Sequence, residues 1–294
     1  MAVTELGLAH RRARVSDLFE LTKPRITFMV LLATLVGFYM GSGENLQTLL
    51  LLHTIIGTGL VAAGASSFNQ YLERDLDSRM VRTRTRPIPD GRLLPGDALA
   101  FSIAISVAGV GYLAAFVNLL TAAIGAATLA AYVLVYTPLK TRTPWCTLIG
   151  AFPGATPPLM GWAAARGDLD ITGLSLFAIQ FLWQMPHFFA IAWMFTEDYR
   201  RAGFKVHSSG VSTGRQIILY CCALIPISLL PTLFGATGRW YLLGALVLGF
   251  VYLGYGFAVA LFRSPTHAQR LLRISVLYLP ALFVLMMVDK ATAP

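Results

Sequence analysis

The sequence predicts an all-α protein that crosses a membrane about nine times. Of the 294 residues, 56% are hydrophobic and only 13% are charged, and the mean hydropathy is +0.66. This composition is typical of polytopic membrane proteins and unlike that of soluble domains. The apolar residues also form runs long enough to span a bilayer, at about 26–41, 47–68, 98–117, 120–136, 145–164, 171–195, 216–236, 240–262 and 272–288.

The polar, basic residues 1–25 precede the first span, and we expect them to form a cytoplasmic tail. No apolar core with a small-residue cleavage site follows, which argues against a secretory signal. We expect residues 26–294 to form a single transmembrane domain. The three cysteines lack metal-ligand spacing and are interpreted as packing residues.

The distribution of basic residues predicts the orientation of the spans. Of the 23 lysines and arginines, 20 lie in the tail or in the even-numbered loops, and only Arg166, Arg239 and Lys290 lie on the other side. The positive-inside rule then places the N-terminus in the cytoplasm, and an odd number of spans places the C-terminus outside. The net charge of +9 is therefore explained by topology and anionic headgroups, and nucleic acid is not a predicted partner.

The fifth span contains Pro153, Pro157 and Pro158. Three prolines cannot all be accommodated easily in one unbroken helix, so the sequence predicts an interruption here. Irregular backbone at membrane depth occurs beside protein-lined cavities, and a simple packing kink is the alternative interpretation.

The strongest chemical signal begins where the second span ends. Asn69, Glu73 and Asp77 are spaced i, i+4, i+8, which places three oxygen ligands along one face of a helix. Carboxylate and amide oxygens suit Mg²⁺, and Arg82 and Arg86 directly after them suit phosphate oxygens. The pattern therefore predicts a Mg²⁺-diphosphate clamp at a solvated helix end. The alternative is an ordinary basic loop that sets the topology.

Two later stretches carry similar chemistry. Tyr136 and Lys140 follow the fourth span and are candidates for capping a diphosphate. Glu197 and Asp198 follow the sixth span, so two acidic helix ends could face each other and hold two Mg²⁺ ions. His187 lies inside the sixth span and is either a hydrogen-bonded structural residue or a functional one.

The predicted spans contain no Asp, Glu, Lys or Arg apart from Arg273, the second residue of the last span. Ion-coupled transporters usually keep charged groups at mid-membrane, whereas here the charges lie at helix ends. This favours a membrane-embedded enzyme whose polar reactant arrives from the cytoplasm. A carrier for a phosphorylated lipid is the alternative class, and metal-dependent release of diphosphate would distinguish the two.

These motifs resemble a known family. Asn69-x-x-x-Glu73-x-x-x-Asp77, followed by Arg82-Thr83-x-x-Arg86-Pro87, resembles the first signature of UbiA-type intramembrane prenyltransferases, and Tyr136-x-x-x-Lys140 is similar to their second motif. Two positions depart from the family pattern. Position 73 is Glu where the family has Asp, and an adjacent Glu and Asp at 197–198 replace a regular Asp-x-x-x-Asp.

Pro186-His187-Phe188 and Glu197-Asp198-Tyr199 resemble the haem O synthase branch of that family. The resemblance implies nine helices around a central cavity open to lipid, in the bacterial cytoplasmic (inner) membrane. It implies Mg²⁺-dependent transfer of farnesyl from farnesyl diphosphate to a vinyl group of haem B (protohaem IX), giving haem O for haem-copper terminal oxidases. A quinone-precursor or other aromatic acceptor is the alternative, and a haem A synthase or oxidase assembly factor is the implied protein partner.

The resemblance also implies roles for individual residues. The predicted metal ligands are Asn69, Glu73, Asp77, Glu197 and Asp198, and all of these except Glu197 are also predicted to be catalytic. The predicted diphosphate-binding residues are Arg82, Arg86, Lys140 and Tyr136. His187 is predicted to be catalytic and to bind haem, as an iron ligand or by positioning water.

Overall fold

The computed structural model describes residues 15–206 and 210–291, and the described regular structure is helical apart from one isolated bridge between Thr237 and Lys290. Most of the N-terminal tail lies outside the described residues, while residues 15–21 are helical. The long helices are α1 (Pro24–Gly41), α2 (Thr48–Asp77), α3 (Pro95–Phe116), α4 (Leu119–Ala130), α6 (Cys146–Arg166), α7 (Ile171–Met194), α9 (Val211–Leu233), α10 (Arg239–Phe262) and α11 (Pro265–Val288). The short helices are α5 (Thr137–Leu139) and α8 (Thr196–Ala202).

Eight described helical segments are long and apolar enough to cross a membrane, with α4 and α5 counted as one segment. The remaining long helix, α6, is 21 residues long, but its many Gly, Pro and Thr residues lower its hydropathy. It nevertheless lies inside the bundle, with 14 of its 21 residues buried. The prediction of an all-α, multi-pass membrane protein with about nine helices is therefore confirmed.

The helices pack largely in chain order, and the two ends of the bundle meet. α2 packs on α3, α6 packs between α1 and α7, and α9 packs between α7 and α10. α11 then contacts α10, α7 and α1, which brings the last helix back to the first. At the α1–α6 contact, Gly37 and Gly161 let the backbones touch, since an added Cβ would meet Pro158 and Thr34 respectively.

The predicted interruption of the fifth span is wrong, because α6 is one continuous helix that contains all three prolines. Pro157 and Pro158 leave the carbonyl oxygens of Pro153 and Gly154 without their usual donors. Side chains supply the missing bonds: Thr156 Oγ1 donates to the Pro153 oxygen at 2.9 Å, and Gln180 Nε2 of α7 donates to the Gly154 oxygen at 3.2 Å. Such side-chain donors are how prolines are tolerated at membrane depth.

The irregular backbone lies instead in the preceding span. Between α4 and α5 the chain forms a π-helical segment, Ala131–Tyr136. Thr137 Oγ1 donates to the carbonyl oxygen of Tyr132 at 2.9 Å within this turn. π-helical turns occur frequently at functional sites, and this one carries the two tyrosines of the site described below.

Two predicted boundaries differ from the structure in a way that matters for function. The second span, predicted to end near residue 68, continues as helix to Asp77. The last span, predicted to begin near residue 272, begins at Pro265. Both extensions carry charged residues, which hydrophobicity alone assigns to loops.

Candidate active site

The site is built around the last three turns of α2. Asn69, Glu73 and Asp77 lie on one face of this helix, as the i, i+4, i+8 spacing predicts. These three residues are only 2%, 4% and 0% exposed to solvent, in that order. The expectation that Asp77 lies at a solvated helix end is therefore wrong. The loop that follows α2 covers it, and Thr83 Oγ1 donates to the Asp77 carbonyl oxygen at 3.0 Å.

Each of these three side chains contacts one cation from a different part of the chain. Lys23 Nζ donates to Asn69 Oδ1 at 2.9 Å, and Lys140 Nζ lies 2.6 Å from Glu73 Oε1. Arg86 completes the set with an ion pair of 2.6 Å to Asp77 Oδ2. The three side chains of the predicted metal site are thus each in direct contact with a cation.

Lys23 is a site residue that the sequence analysis missed, since it was counted only among the basic residues of the N-terminal segment. It directly precedes Pro24 and has a left-handed backbone, with φ of 47°. Burial, helped by the neighbouring charges of Arg86 and Lys140, lowers the pKa of Lys23 to about 7, against the opposing effect of the two carboxylates. A buried, crowded ammonium of this kind is well suited to meet an incoming anion.

These groups line a cavity of about 210 Å³ between α1, α2, α7 and the π-helical segment. Four cations lie in its lining against two carboxylates, so the cavity favours a polyanion. Lys140 Nζ also lies 4.6 Å from the ring centre of Tyr136, whose ring is 5.3 Å from that of Tyr132. The lining residues are Lys23, Ile26, Asn69, Glu73, Asp77, Met80, Arg82, Arg86, Tyr132, Tyr136, Lys140, Cys146, Thr147, Phe188, Ile191, Ala192, Tyr199, Phe204 and Val206.

The donor set fits a hard divalent cation. Asp77 Oδ1 is buried without a hydrogen-bond partner, although the other carboxylate oxygen is paired with Arg86. No group of three His, Cys, Asp or Glu side chains suitable for a metal occurs in the described parts of the chain. Two carboxylates and an amide oxygen are nevertheless the kind of partial set with which proteins hold Mg²⁺, since substrate phosphates and water complete its shell.

The cavity lining brings together all the predicted diphosphate-binding residues, which are Arg82, Arg86, Lys140 and Tyr136. The two acids of α8 are not part of this lining. Glu197 is exposed and accepts hydrogen bonds from Arg200, which together with Arg201 hold its pKa at about 2. Asp198 accepts from the backbone N–H groups of Val81 and Arg82, at 3.2 and 3.4 Å. Asp198 thereby anchors the loop that covers Asp77, and a metal-binding role for either acid stays a prediction.

His187 also lies outside the lining, although the next residue, Phe188, belongs to it. Its Nδ1 is 2.7 Å from Ser275 Oγ of α11, and its ring is stacked on that of Trp183. Ser275 Oγ donates to the Leu272 carbonyl oxygen at 2.6 Å, so it must accept from His187 Nδ1–H. This pattern assigns the lone pair to Nε2, which is the state required of a metal-ligating imidazole.

The comparisons with known proteins agree with this geometry. The profile of the UbiA prenyltransferase family matches residues 30–279. The chain belongs to the UbiA prenyltransferase family. As a member of this family it is a membrane-embedded prenyltransferase, and the alternative of a lipid carrier is set aside.

Relatives of this UbiA protein are similar over nearly the full chain. One is a protoheme IX farnesyltransferase from Solibacter usitatus, 51% identical over 93% of this chain and 98% of the relative. Another, from Koribacter versatilis, carries the same name and is 41% identical over 99% of this chain and 97% of the relative. The name describes these two relatives, and it suggests a candidate reaction for this UbiA protein.

Solved structures of UbiA proteins share the fold. A digeranylgeranylglyceryl phosphate synthase has a TM-score of 0.79 at 16% identity, over 94% of this chain and 98% of the other. A UbiA homolog from Archaeoglobus fulgidus, solved with GPP and Mg²⁺, has a TM-score of 0.64 at 16% identity, over 92% of this chain and 99% of the other. That homolog was also solved with Cd²⁺. That homolog therefore binds divalent metals.

Proposed function

We propose that this protein transfers the farnesyl group of farnesyl diphosphate to a vinyl group of protohaem IX, giving haem O. The observation that carries this proposal is the full-length similarity to relatives named protoheme IX farnesyltransferase, 51% identical in one case. The cavity supports the donor half of the reaction, because buried cations and hard oxygen ligands meet there.

The proposed cofactor is Mg²⁺, held by Asn69, Glu73 and Asp77. When bound, it would supply a Lewis acid that offsets the negative charge of the diphosphate. Lys23, Arg86 and Lys140 would then donate to the oxygens of the departing diphosphate instead of to the three ligand side chains. Metal and diphosphate would thus bind as one unit.

The reaction breaks the bond between the farnesyl C1 carbon and its oxygen, and the electron pair leaves with the diphosphate. The faces of Tyr132 and Tyr136, which line the cavity, would stabilise the allylic cation. Apolar lining residues, among them Met80 and Phe188, would keep water away until the vinyl group forms the new carbon–carbon bond. Water then adds to the resulting cation and loses a proton, which leaves the hydroxyl group.

We propose that His187 binds the haem. Its ring is held by Ser275 and Trp183, and its free lone pair on Nε2 suits the haem iron. Trp183 is itself held in place, since its Nε1 donates to the Ser275 carbonyl oxygen at 2.8 Å. His187 belongs to the same helix as Phe188 and Ile191 of the cavity lining, so the haem would approach along α7.

The proposed location is the bacterial inner membrane, with the N-terminus in the cytoplasm and the C-terminus outside. Lys290 Nζ donates to the carbonyl oxygens of Tyr39 and Ser42, so the end of α11 lies beside the end of α1. The basic residues of the site lie at the opposite end of the bundle, which supports a cytoplasmic entry for the diphosphate. A haem A synthase or an oxidase assembly factor is the proposed partner that receives the product.

The test is incubation of the purified protein with haem B, farnesyl diphosphate and Mg²⁺, followed by mass analysis of the extracted haem. We expect a product heavier by one farnesyl group and one water-derived hydroxyl, and no such product when EDTA replaces Mg²⁺. Prenylation of 4-hydroxybenzoate, with haem left unchanged, would support the quinone-precursor acceptor and overturn the proposal.

A further inference from the structure

A second cavity lies on the outer surface of the bundle, between α10 and α11. Its volume is about 370 Å³, and it is lined by Tyr255, Arg270, Arg273, Ile274 and Leu277. It shares no residue with the cavity of the candidate active site. Leu277 is exposed, and α10 and α11 carry other exposed apolar side chains, such as Phe257 and Leu261, as expected of a lipid-facing surface.

The two arginines of this groove differ from the ion-paired arginines at the same end of the bundle. Arg86 and Arg200 each pair with a carboxylate. Arg92 pairs with Asp17, Glu20 and Asp90. In contrast, no ion pair joins Arg270 or Arg273 to any acidic side chain within residues 15–206 and 210–291. Guanidinium groups at a lipid-facing surface without a counter-charge are costly, so an anion from the surroundings would stabilise these two.

The lining of this groove is charged at one end and apolar at the other. Arg270, Arg273, Ile274 and Leu277 are spaced i, i+3, i+4, i+7 and therefore share one face of α11. Along this face the character changes from guanidinium to aliphatic over about 10 Å as the helix runs towards the membrane interior. Tyr255 of α10 completes the lining.

We propose that this groove binds one anionic phospholipid. Its headgroup phosphate is held between the guanidinium groups of Arg270 and Arg273, and one acyl chain lies along Ile274 and Leu277. Arginine pairs are the preferred partners of phosphate oxygens, and anionic lipids supply such phosphates at the depth where the first turns of α11 lie. A zwitterionic lipid is disfavoured, because its own ammonium would face the arginine pair.

The experiment is native mass spectrometry of the purified full-length protein after exchange into micelles that contain phosphatidylcholine and phosphatidylglycerol. We expect the wild type to retain one phosphatidylglycerol that Arg270→Gln/Arg273→Gln loses. The matched control, Arg142→Gln/Arg215→Gln, removes two charges from exposed arginines that do not line the groove, and it should keep the lipid. Equal retention by both double variants would overturn the proposal.

A second variant distinguishes a phospholipid from a small anion. Leu277→Trp fills the apolar part of the groove and leaves both arginines in place, so it should reduce retention of phosphatidylglycerol. Unchanged retention in Leu277→Trp, or displacement of the lipid by millimolar inorganic phosphate, would show a plain anion site and contradict the proposal. Displacement by stoichiometric farnesyl diphosphate would assign the groove to the substrate and contradict it equally.

Discussion

Lys23 Nζ lies 2.9 Å from Asn69 Oδ1, so a residue that precedes the first span contacts a predicted metal ligand near the end of the second span. Lys140 and Arg86 do the same for Glu73 and Asp77. We interpret the three cations as placeholders for the metal, since they satisfy the ligand oxygens until metal and diphosphate arrive together. Removing a placeholder should therefore change metal binding and diphosphate binding in opposite directions.

Lys23→Met tests this relationship. The variant should bind a non-hydrolysable farnesyl diphosphate analogue about 10–100-fold more weakly, because a charge-assisted hydrogen bond is lost. It should bind Mn²⁺ alone more tightly, because Asn69 is no longer occupied. Calorimetry with the analogue and electron paramagnetic resonance with Mn²⁺ measure the two effects. Lys205→Met removes an exposed lysine outside the lining and should change neither; a parallel fall of both affinities in Lys23→Met would contradict the placeholder interpretation.

Asp77→Asn should reduce turnover by about 10–100-fold, the usual cost of weakening a metal site. Since Asp77 is buried and paired with Arg86, the substitution should also reduce the free energy of unfolding by about 1–3 kcal/mol. The matched control is Asp75→Asn, which removes the same charge from a side chain that is 80% exposed on the same helix. Equal turnover in the two variants would remove Asp77 from the proposed metal site.

Glu73→Asp should keep at least about a tenth of the activity, because both side chains offer the same carboxylate ligand. In the wild type the Glu73 carboxylate lies 2.6 Å from Lys140 Nζ, and the shorter aspartate side chain moves the carboxylate away from it. We therefore expect Glu73→Asp to need a higher Mg²⁺ concentration, with little change of turnover at saturating Mg²⁺. Glu73→Gln keeps the length and removes the charge, and it should be the more damaging change. Turnover measured against Mg²⁺ concentration separates the two variants, and the reverse order would show that length matters more than charge.

The chain termini are predicted to lie on opposite sides of the membrane. A reporter fused after Pro294 should be found outside, and one inserted near Arg84 should be found in the cytoplasm. The contact of Lys290 with the carbonyl oxygens of Tyr39 and Ser42 supports this, because it joins the ends of the last and first helices far from the basic cluster. Both reporters on one side would mean that the number of crossings is even.

Local patterns predicted most of the fold and half of the site. The i, i+4, i+8 spacing correctly placed Asn69, Glu73 and Asp77 on one face of α2. The apolar runs identified the spans, but they missed the charged extensions of α2 and α11. The sequence could not show that Lys23 meets Asn69, because that contact spans 46 residues and depends on how α1 packs against α2. It also could not show that Thr156 and Gln180 satisfy the carbonyl groups freed by the α6 prolines, since Gln180 comes from another helix.

The last prediction separates the chemistry of the diphosphate from that of the acceptor. His187→Ala should still bind the farnesyl diphosphate analogue with Mg²⁺, because His187 is not in the lining of the cation-rich cavity. It should lose haem binding or the prenylated product. Arg86→Ala should show the reverse, since its guanidinium contacts Asp77 inside that cavity. Each variant is titrated once with the analogue and once with haem B, followed by its Soret band.

Ser275→Ala then tests whether the imidazole is positioned or merely packed. Ser275 Oγ accepts from His187 Nδ1, so its removal frees the ring to rotate and to exchange the proton between its nitrogens. We expect a shifted Soret band and about 10–100-fold weaker haem binding, with analogue binding unchanged. His53→Ala removes a histidine that is hydrogen-bonded to Tyr112 and lies outside both cavities, and it should leave the Soret band unchanged. If His187→Ala and Ser275→Ala both bind and prenylate haem as the wild type does, His187 is an ordinary packed histidine, and the proposal of haem as acceptor rests on sequence similarity alone.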